Sequence, residues 1–133
     1  MKTDYGLQAT LDIPYEKAIE KATAALKEEG FGVLTEIDVK ATLKKKIDAD
    51  FRRYVILGAC NPNLAHQALQ NELEIGLLLP CNVIVYETDD DKSVVSIVDP
   101  MAMMGVTQNE NLNKVADEAS MRLNRVVKKL ASG

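Results

Sequence analysis

The chain has 133 residues, of which 47% are hydrophobic and 27% charged, with a formal net charge of −4. That length and apolar share fit one folded domain spanning residues 1–133 and argue against a disordered chain. The acidic balance argues against nucleic acid as a general partner, because a phosphate backbone calls for a net basic footprint.

One basic stretch does occur, with six Lys or Arg against two Asp from Lys40 to Arg53. It reads as a solvated helix face and a charged turn, with a landing site for a small anion as the sharper alternative. Met1 to Asp12 is polar and contains no apolar core of a secretory signal, so none is expected. The longest apolar run, Gly76 to Tyr86, is interrupted by Pro80 and Asn82 and falls short of the ~20 residues of a membrane helix. A cytoplasmic protein with no membrane association is expected, and in that compartment Cys60 and Cys81 are expected as free thiols.

Tyr5, Leu7, Ala9 and Leu11 alternate with Gly6, Gln8 and Thr10, which predicts a half-buried strand. Asp12 and Pro14 then open a helix whose stripe is Tyr15, Ala18, Ile19, Ala22, Ala25 and Leu26, and Gly30 closes it. Phe31, Val33, Thr35 and Ile37 predict a second strand by the same period-two rule. Asp38 is placed to cap a short helix to about Ile47, with Val39, Leu43 and Ile47 inward and Lys44, Lys45 and Lys46 at its negative end.

Tyr54 to Ala59 predicts a third strand. Asn61 and Pro62 then supply a cap and a first-turn proline for a helix burying Ala65, Ala68, Leu69 and Leu73, ending near Gly76. Leu77 to Tyr86 predicts a fourth strand, with a bulge or a late start near Cys81 because Pro80 cannot donate to a ladder. A polar turn from Thr88 to Lys92 leads to a fifth strand, Val94 to Val98, ended by Asp99-Pro100. Met101, Met103 and Met104 read as gap-filling methionines under a loop or as a soft binding surface. A long amphipathic helix closes the chain from about Asn111 to Leu130, with Leu112, Val115, Ala116, Ala119, Leu123, Val126, Val127 and Leu130 on one stripe.

These elements define an α+β fold, a five-stranded sheet with two long amphipathic helices on one face and short inserted helices. The apolar runs Val55 to Leu57, Leu77 to Leu79 and Val83 to Val85 imply strands buried on both faces. Two long helices cover one face only. A second subunit, the short helices or both must cover the other, so a homodimer is expected.

The most distinctive feature is a pair of Cys-Asn dipeptides, Cys60-Asn61 and Cys81-Asn82. Antiparallel pairing of the third and fourth strands brings the end of one beside the start of the next, and both dipeptides to one locus. His66, the only histidine, lies one turn into the helix and is expected to lean back toward Cys60. Four readings are open: a thiolate activated at a helix start, a Cys/Cys/His metal site, an anion site on backbone N–H groups, and a purely structural locus of buried thiols and caps. The three metal ligands match no standard zinc spacing, and no metal or cofactor is expected. No phosphate loop, nucleophile elbow or metalloprotease helix occurs.

The runs Tyr54-Val55-Ile56-Leu57-Gly58-Ala59-Cys60-Asn61-Pro62 and Gly76-Leu77-Leu78-Leu79-Pro80-Cys81-Asn82-Val83, with Asp99-Pro100-Met101, resemble the signatures of the domain-of-unknown-function 302 family. The resemblance runs from Tyr5 to Leu130. It implies a curved, largely antiparallel sheet of the TATA-binding-protein-like class and a dimer. It implies no activity, and a nucleic-acid role does not follow from that fold name.

The reading favoured on these grounds is a homodimeric domain that binds a small ligand or partner at Cys60, Asn61, Cys81, Asn82 and His66, without catalysis. The alternatives are a thiol enzyme or redox sensor using Cys60 and Cys81, and a structural or regulatory dimer module.

Overall fold

A computed structural model describes residues 4–132. Five strands, β1 (Gly6–Leu11), β2 (Gly32–Asp38), β3 (Tyr54–Cys60), β4 (Cys81–Glu87) and β5 (Ser93–Val98), form one open, curved sheet in the order β1-β5-β4-β3-β2. Every neighbouring pair is antiparallel. The helices are α1 (Tyr15–Glu28), α2 (Val39–Ile47), α3 (Pro62–Asn71), α4 (Pro100–Thr107) and α5 (Asn113–Ala131), with short 3-10 segments at Leu73–Leu78 and Glu110–Leu112.

Strand alternation separates the side chains cleanly. Leu7, Ala9, Leu11, Val55, Leu57, Ala59, Val83, Val85, Val95 and Ile97 point into the core. They meet the predicted stripes of α1 (Ala18, Ala22, Ala25 and Leu26) and of α5 (Val115, Ala116, Ala119, Leu123, Val126 and Leu130). Each fully buried Leu or Val there contributes about 1.5–3 kcal/mol. The C-terminus of α1 is tied to α5 at the surface, where Arg122 donates to the Glu29 carbonyl at 3.1 Å and Arg125 pairs with the Glu29 carboxylate at 2.8 Å.

The opposite face of the sheet is built from three rows of directly paired residues. One runs Thr10, Val94, Tyr86, Tyr54; the next runs Gln8, Ser96, Ile84, Ile56, Ile37; the third holds Gly6 and Val98, then Asn82, Gly58 and Thr35. None of these side chains is charged. Tyr54 and Tyr86 stack with ring centroids 5.5 Å apart, and Phe51 extends the aromatic row at 6.0 Å from Tyr54. The short helix α2 has no buried residue.

Four sequence expectations are corrected. In β2 the ladder slips between Val33 and Thr35, leaving Leu34 as an extra residue. Phe31 and Val33 therefore face the core, whereas Thr35 and Ile37 face the uncharged side. Ile47, expected inward, is 69% exposed, because α2 lies at the surface with none of its residues buried. Leu73 and Leu77 are exposed: α3 stops at Asn71, residues 73–78 form a 3-10 turn, and β4 makes the late start at Cys81 expected from Pro80. Asp99-Pro100 ends β5 but also begins α4, with the Asp99 carboxylate accepting from the Met101 N–H at 3.0 Å. The Met104 side chain lies outside the described ones.

Gly58 leaves room for two side chains, Thr35 of β2 and Pro80, that crowd the sheet at this point. A Cβ there would strike the Thr35 hydroxyl and stand 2.7 Å from the Pro80 ring. Gly58→Ala is expected to lower stability by about 1–3 kcal/mol through overpacking. Urea denaturation checks this, and a midpoint unchanged from the parent protein would show that Pro80 moves aside freely.

Candidate functional site

Asn61 is the hinge of the Cys-Asn locus. Its backbone is extended, its carbonyl accepts from Ala65 N at 2.9 Å, and its side-chain oxygen caps α3 by accepting from Leu64 N at 3.1 Å. Pro62, with no N–H to satisfy, occupies the first turn. Only 7% of Asn61 is exposed, and what buries it is the end of α1. Gly30 has φ +84°, which lets Phe31 N fold back to Leu26 O at 2.9 Å. A Cβ at Gly30 would lie 2.8 Å from the Asn61 amide nitrogen and 3.2 Å from the Arg122 guanidinium. The C-terminus of α1, the N-terminus of α3 and the middle of α5 thus converge on one side chain.

Cys60 is the last residue of β3, and Cys81, the first of β4, pairs with Ala59. Both cysteines and Asn61 line a half-open cavity of about 40 Å³. Its remaining wall is apolar: Phe31, Leu64, Ala65 and Ala68 on one side, Leu79, Pro80 and Pro100 on another, and Val115, Ala116 and Ala119 of α5 behind. The peptide between Leu79 and Pro80 is cis. Small residues on the facing stripes of α3 and α5 leave the space, since Ala65 and Ala68 confront Ala116 and Ala119. Burial, and then the neighbouring Cys60, push the Cys81 thiol up to about 11, so it stays protonated at neutral pH.

His66 and Asn82 are placed elsewhere. His66 is exposed and lines a separate, wider groove of about 580 Å³ with Asn63, Gln67, Lys114, Glu118 and Arg122, and Asn61 forms its inner end. The lean of helical side chains toward the N-terminus does not change the face they occupy. His66 is rotated by about 100° from Ala65, which does line the cavity. Asn82 is exposed on the uncharged sheet face opposite Gly58. Of the five predicted residues, the structure brings Cys60, Asn61 and Cys81 together. Phe31, Pro100, Ala116 and Ala119 also line it; of these, only Pro100 was singled out by a sequence signature, Asp99-Pro100-Met101, while the others read as strand or helix core.

Among the described residues no helix is long and apolar enough to cross a membrane, and no three His, Cys, Asp or Glu side chains gather as a metal ion would require. What the fold and site define is a small α+β domain: an open antiparallel sheet, helices on one face, and a compact Cys-Asn locus at the ends of its central strands. The pattern of the family described as "Domain of unknown function DUF302" matches residues 7–130, and the chain belongs to that family. It is similar to the crystal structure of an uncharacterized conserved protein DUF302 from Bacillus stearothermophilus, with 28% identity and a TM-score of 0.86 over 94% of this chain and 97% of that one. No curated protein matches the chain.

Proposed function

We propose that this domain is a homodimeric binding module that receives the apolar end of a small ligand at the Cys-Asn locus and performs no covalent chemistry there. The observation that carries the reading is the cavity itself, an apolar recess walled by Cys60, Asn61 and Cys81 at the junction of β3, β4, α3 and α5. Apolar pockets with few polar groups are the usual form of small-molecule sites. Size limits the ligand. At about 40 Å³ the recess is far smaller than the ~150 Å³ that admits benzene, so only a short alkyl-sized terminus enters. The rest of the ligand lies outside, beside Asn61.

The thiol-enzyme alternative has less support. With both cysteines as thiols, the high pKa of Cys81 disfavours it as a resolving thiolate, and the only histidine lines a different groove. The homodimer is supported by the uncharged sheet face. A two-fold contact sets the same patch against itself, which a neutral face with apolar centre and hydroxyl rim tolerates.

The ligand reading is tested by titrating the ¹⁵N-labelled protein with short-chain alcohols while following amide shifts. Saturable shifts confined to Ala65, Ala68, Val115, Ala116 and Ala119, and lost in Ala116→Leu, are expected. Shifts that are absent, or that persist in the filled variant, would leave a structural module as the better account.

A further inference from the structure

A second surface stands apart from the cavity. Helix α4 has no polar side chain from Pro100 to Val106 and is apolar around its whole circumference, a pattern normally found only inside a protein. Its main packing partner is α5. Val106 is 75% exposed, and Leu73 and Leu77 of the neighbouring 3-10 turn are 84% and 81% exposed. Between α4 and that turn runs a groove of about 250 Å³, lined by Ile75, Leu77, Leu78 and Val106 together with Glu72 and Glu74. Met101, at the start of α4, is also exposed. Isolated exposed leucines need no explanation, but several gathered around one groove do.

Charge indicates what covers it. The two segments that build the surface, residues 71–80 and 99–113, contain no Lys, Arg or His, and all their ionisable side chains are carboxylates. Asp99 is buried and caps α4, whereas Glu72, Glu74 and Glu110 reach solvent. Asn109 holds Glu72 in place, donating to its carboxylate at 3.1 Å. Lys114, the next base along the chain, lines the His66 groove. An acidic rim around an apolar groove repels an anionic lipid surface and matches a cationic partner.

We infer that the groove between α4 and residues 73–78 is a docking site for a basic amphipathic helix of a partner protein. The apolar stripe of that helix lies on Leu77, Leu78 and Val106, and its Lys or Arg residues face Glu72 and Glu74. This is helix-in-groove recognition, in which the aliphatic anchors give affinity and the charges give orientation and rate. The inference does not depend on a ligand in the Cys-Asn cavity.

The test is fluorescence anisotropy with a synthetic helical peptide of leucines on one face and lysines on the other, against the same peptide with glutamate for lysine. The lysine peptide is expected to bind at least tenfold more tightly than the glutamate peptide. Leu77→Ser combined with Val106→Ser is expected to weaken it a further tenfold or more. Glu74→Lys should weaken it severalfold and flatten the salt dependence. Both serine sites are exposed, so the double variant should keep the parent's circular dichroism and melting point. Equal binding of both peptides, or undiminished binding by the serine variant, overturns the inference in favour of nonspecific attraction to an acidic protein. Two other results also overturn it: parent self-association that the serine variant abolishes, which assigns the groove to a second copy, or binding to phosphatidylglycerol vesicles that the variant abolishes, which assigns it to a membrane.

Discussion

Ile84→Asp is expected to convert the homodimer proposed above into a folded monomer. Ile84 sits at the centre of the uncharged sheet face, paired with Ile56 on one side and Ser96 on the other. Five strands spaced ~4.8 Å apart and ~20 Å long present about 480 Å² in projection per copy, or roughly 1,000 Å² for two. That is the low end for a specific interface, so a modest dimer is expected, with dissociation near the micromolar range. Against so small an interface one charge per subunit is decisive, because desolvating an unpaired carboxylate costs several kcal/mol. The two-fold axis doubles the effect, and the dissociation constant should rise at least 100-fold.

Sedimentation velocity between about 1 and 100 µM reads this directly. Leu77→Asp, in the groove beside α4, is the control and should leave the dimer intact. A parent protein that sediments as a monomer throughout would sink the proposal. A dimeric Ile84→Asp would move the interface off this face. Folding of the variant is checked independently, because Ile84 is not part of the core and its replacement opens no cavity.

Much of this architecture was legible because local signals agreed with the global fold. The stripes of α1 and α5 put nearly the same residues in the core that the structure does, and Asn61-Pro62 and Asp38 cap the helices they were expected to cap. Antiparallel pairing of β3 with β4 follows from their succession, and it is what joins Cys60 to Cys81. Other features left no periodic trace. The bulge at Leu34 flips Thr35 and Ile37 to the far face while the sequence alternation continues unbroken. Leu77 to Leu79 extend an apolar run into β4, and periodicity cannot separate a buried strand from a 3-10 turn with exposed leucines.

Helix α4, absent from the sequence expectations, is the most instructive case. An all-apolar segment has no polar face, so the alternation of apolar and polar residues that reveals an amphipathic helix never arises. Yet Asp99-Pro100 carries the same signal as Asn61-Pro62, a capping side chain followed by a proline at the first helical position. A helix start fits both pairs equally well, and only the periodic stripe after Pro62 distinguishes the first from a simple strand stop. The site shows the same division. Strand topology located Cys60 and Cys81, but the face occupied by His66 depends on helix rotation, and an N-terminal lean along the axis does not determine it.

Cys81 provides the sharpest separation between a binding module and a thiol enzyme. Burial raises its pKa to about 11, with a smaller contribution from Cys60. In Cys60→Ala, which leaves one thiol to follow, the thiolate fraction at pH 7.5 is then about 10⁻³ or less, against about 0.1 for an ordinary cysteine. Iodoacetamide should therefore label folded Cys81 at least 100-fold more slowly than the unfolded chain, with a rate that climbs about tenfold per pH unit toward pH 11. Labelling within tenfold of a free cysteine at pH 7.5 would restore the redox reading.

The same shift predicts an alkaline weakness. Below about pH 8 the thiol is largely protonated in both folded and unfolded chains, and it makes little difference to stability. Between pH 9 and 11 the unfolded chain ionises and the folded one does not, so unfolding gains free energy as pH rises. The parent protein should lose about 2–3 kcal/mol across that window relative to Cys81→Ala. Tyr15, raised to about 12 by its burial and by Asp38 and Glu36, acts higher in pH and is common to both proteins, so it cancels in the comparison. Parallel stability profiles for the two proteins from pH 8 to 11 would mean that Cys81 ionises freely where it stands, and the apolar wall on which the binding proposal rests would have to be abandoned.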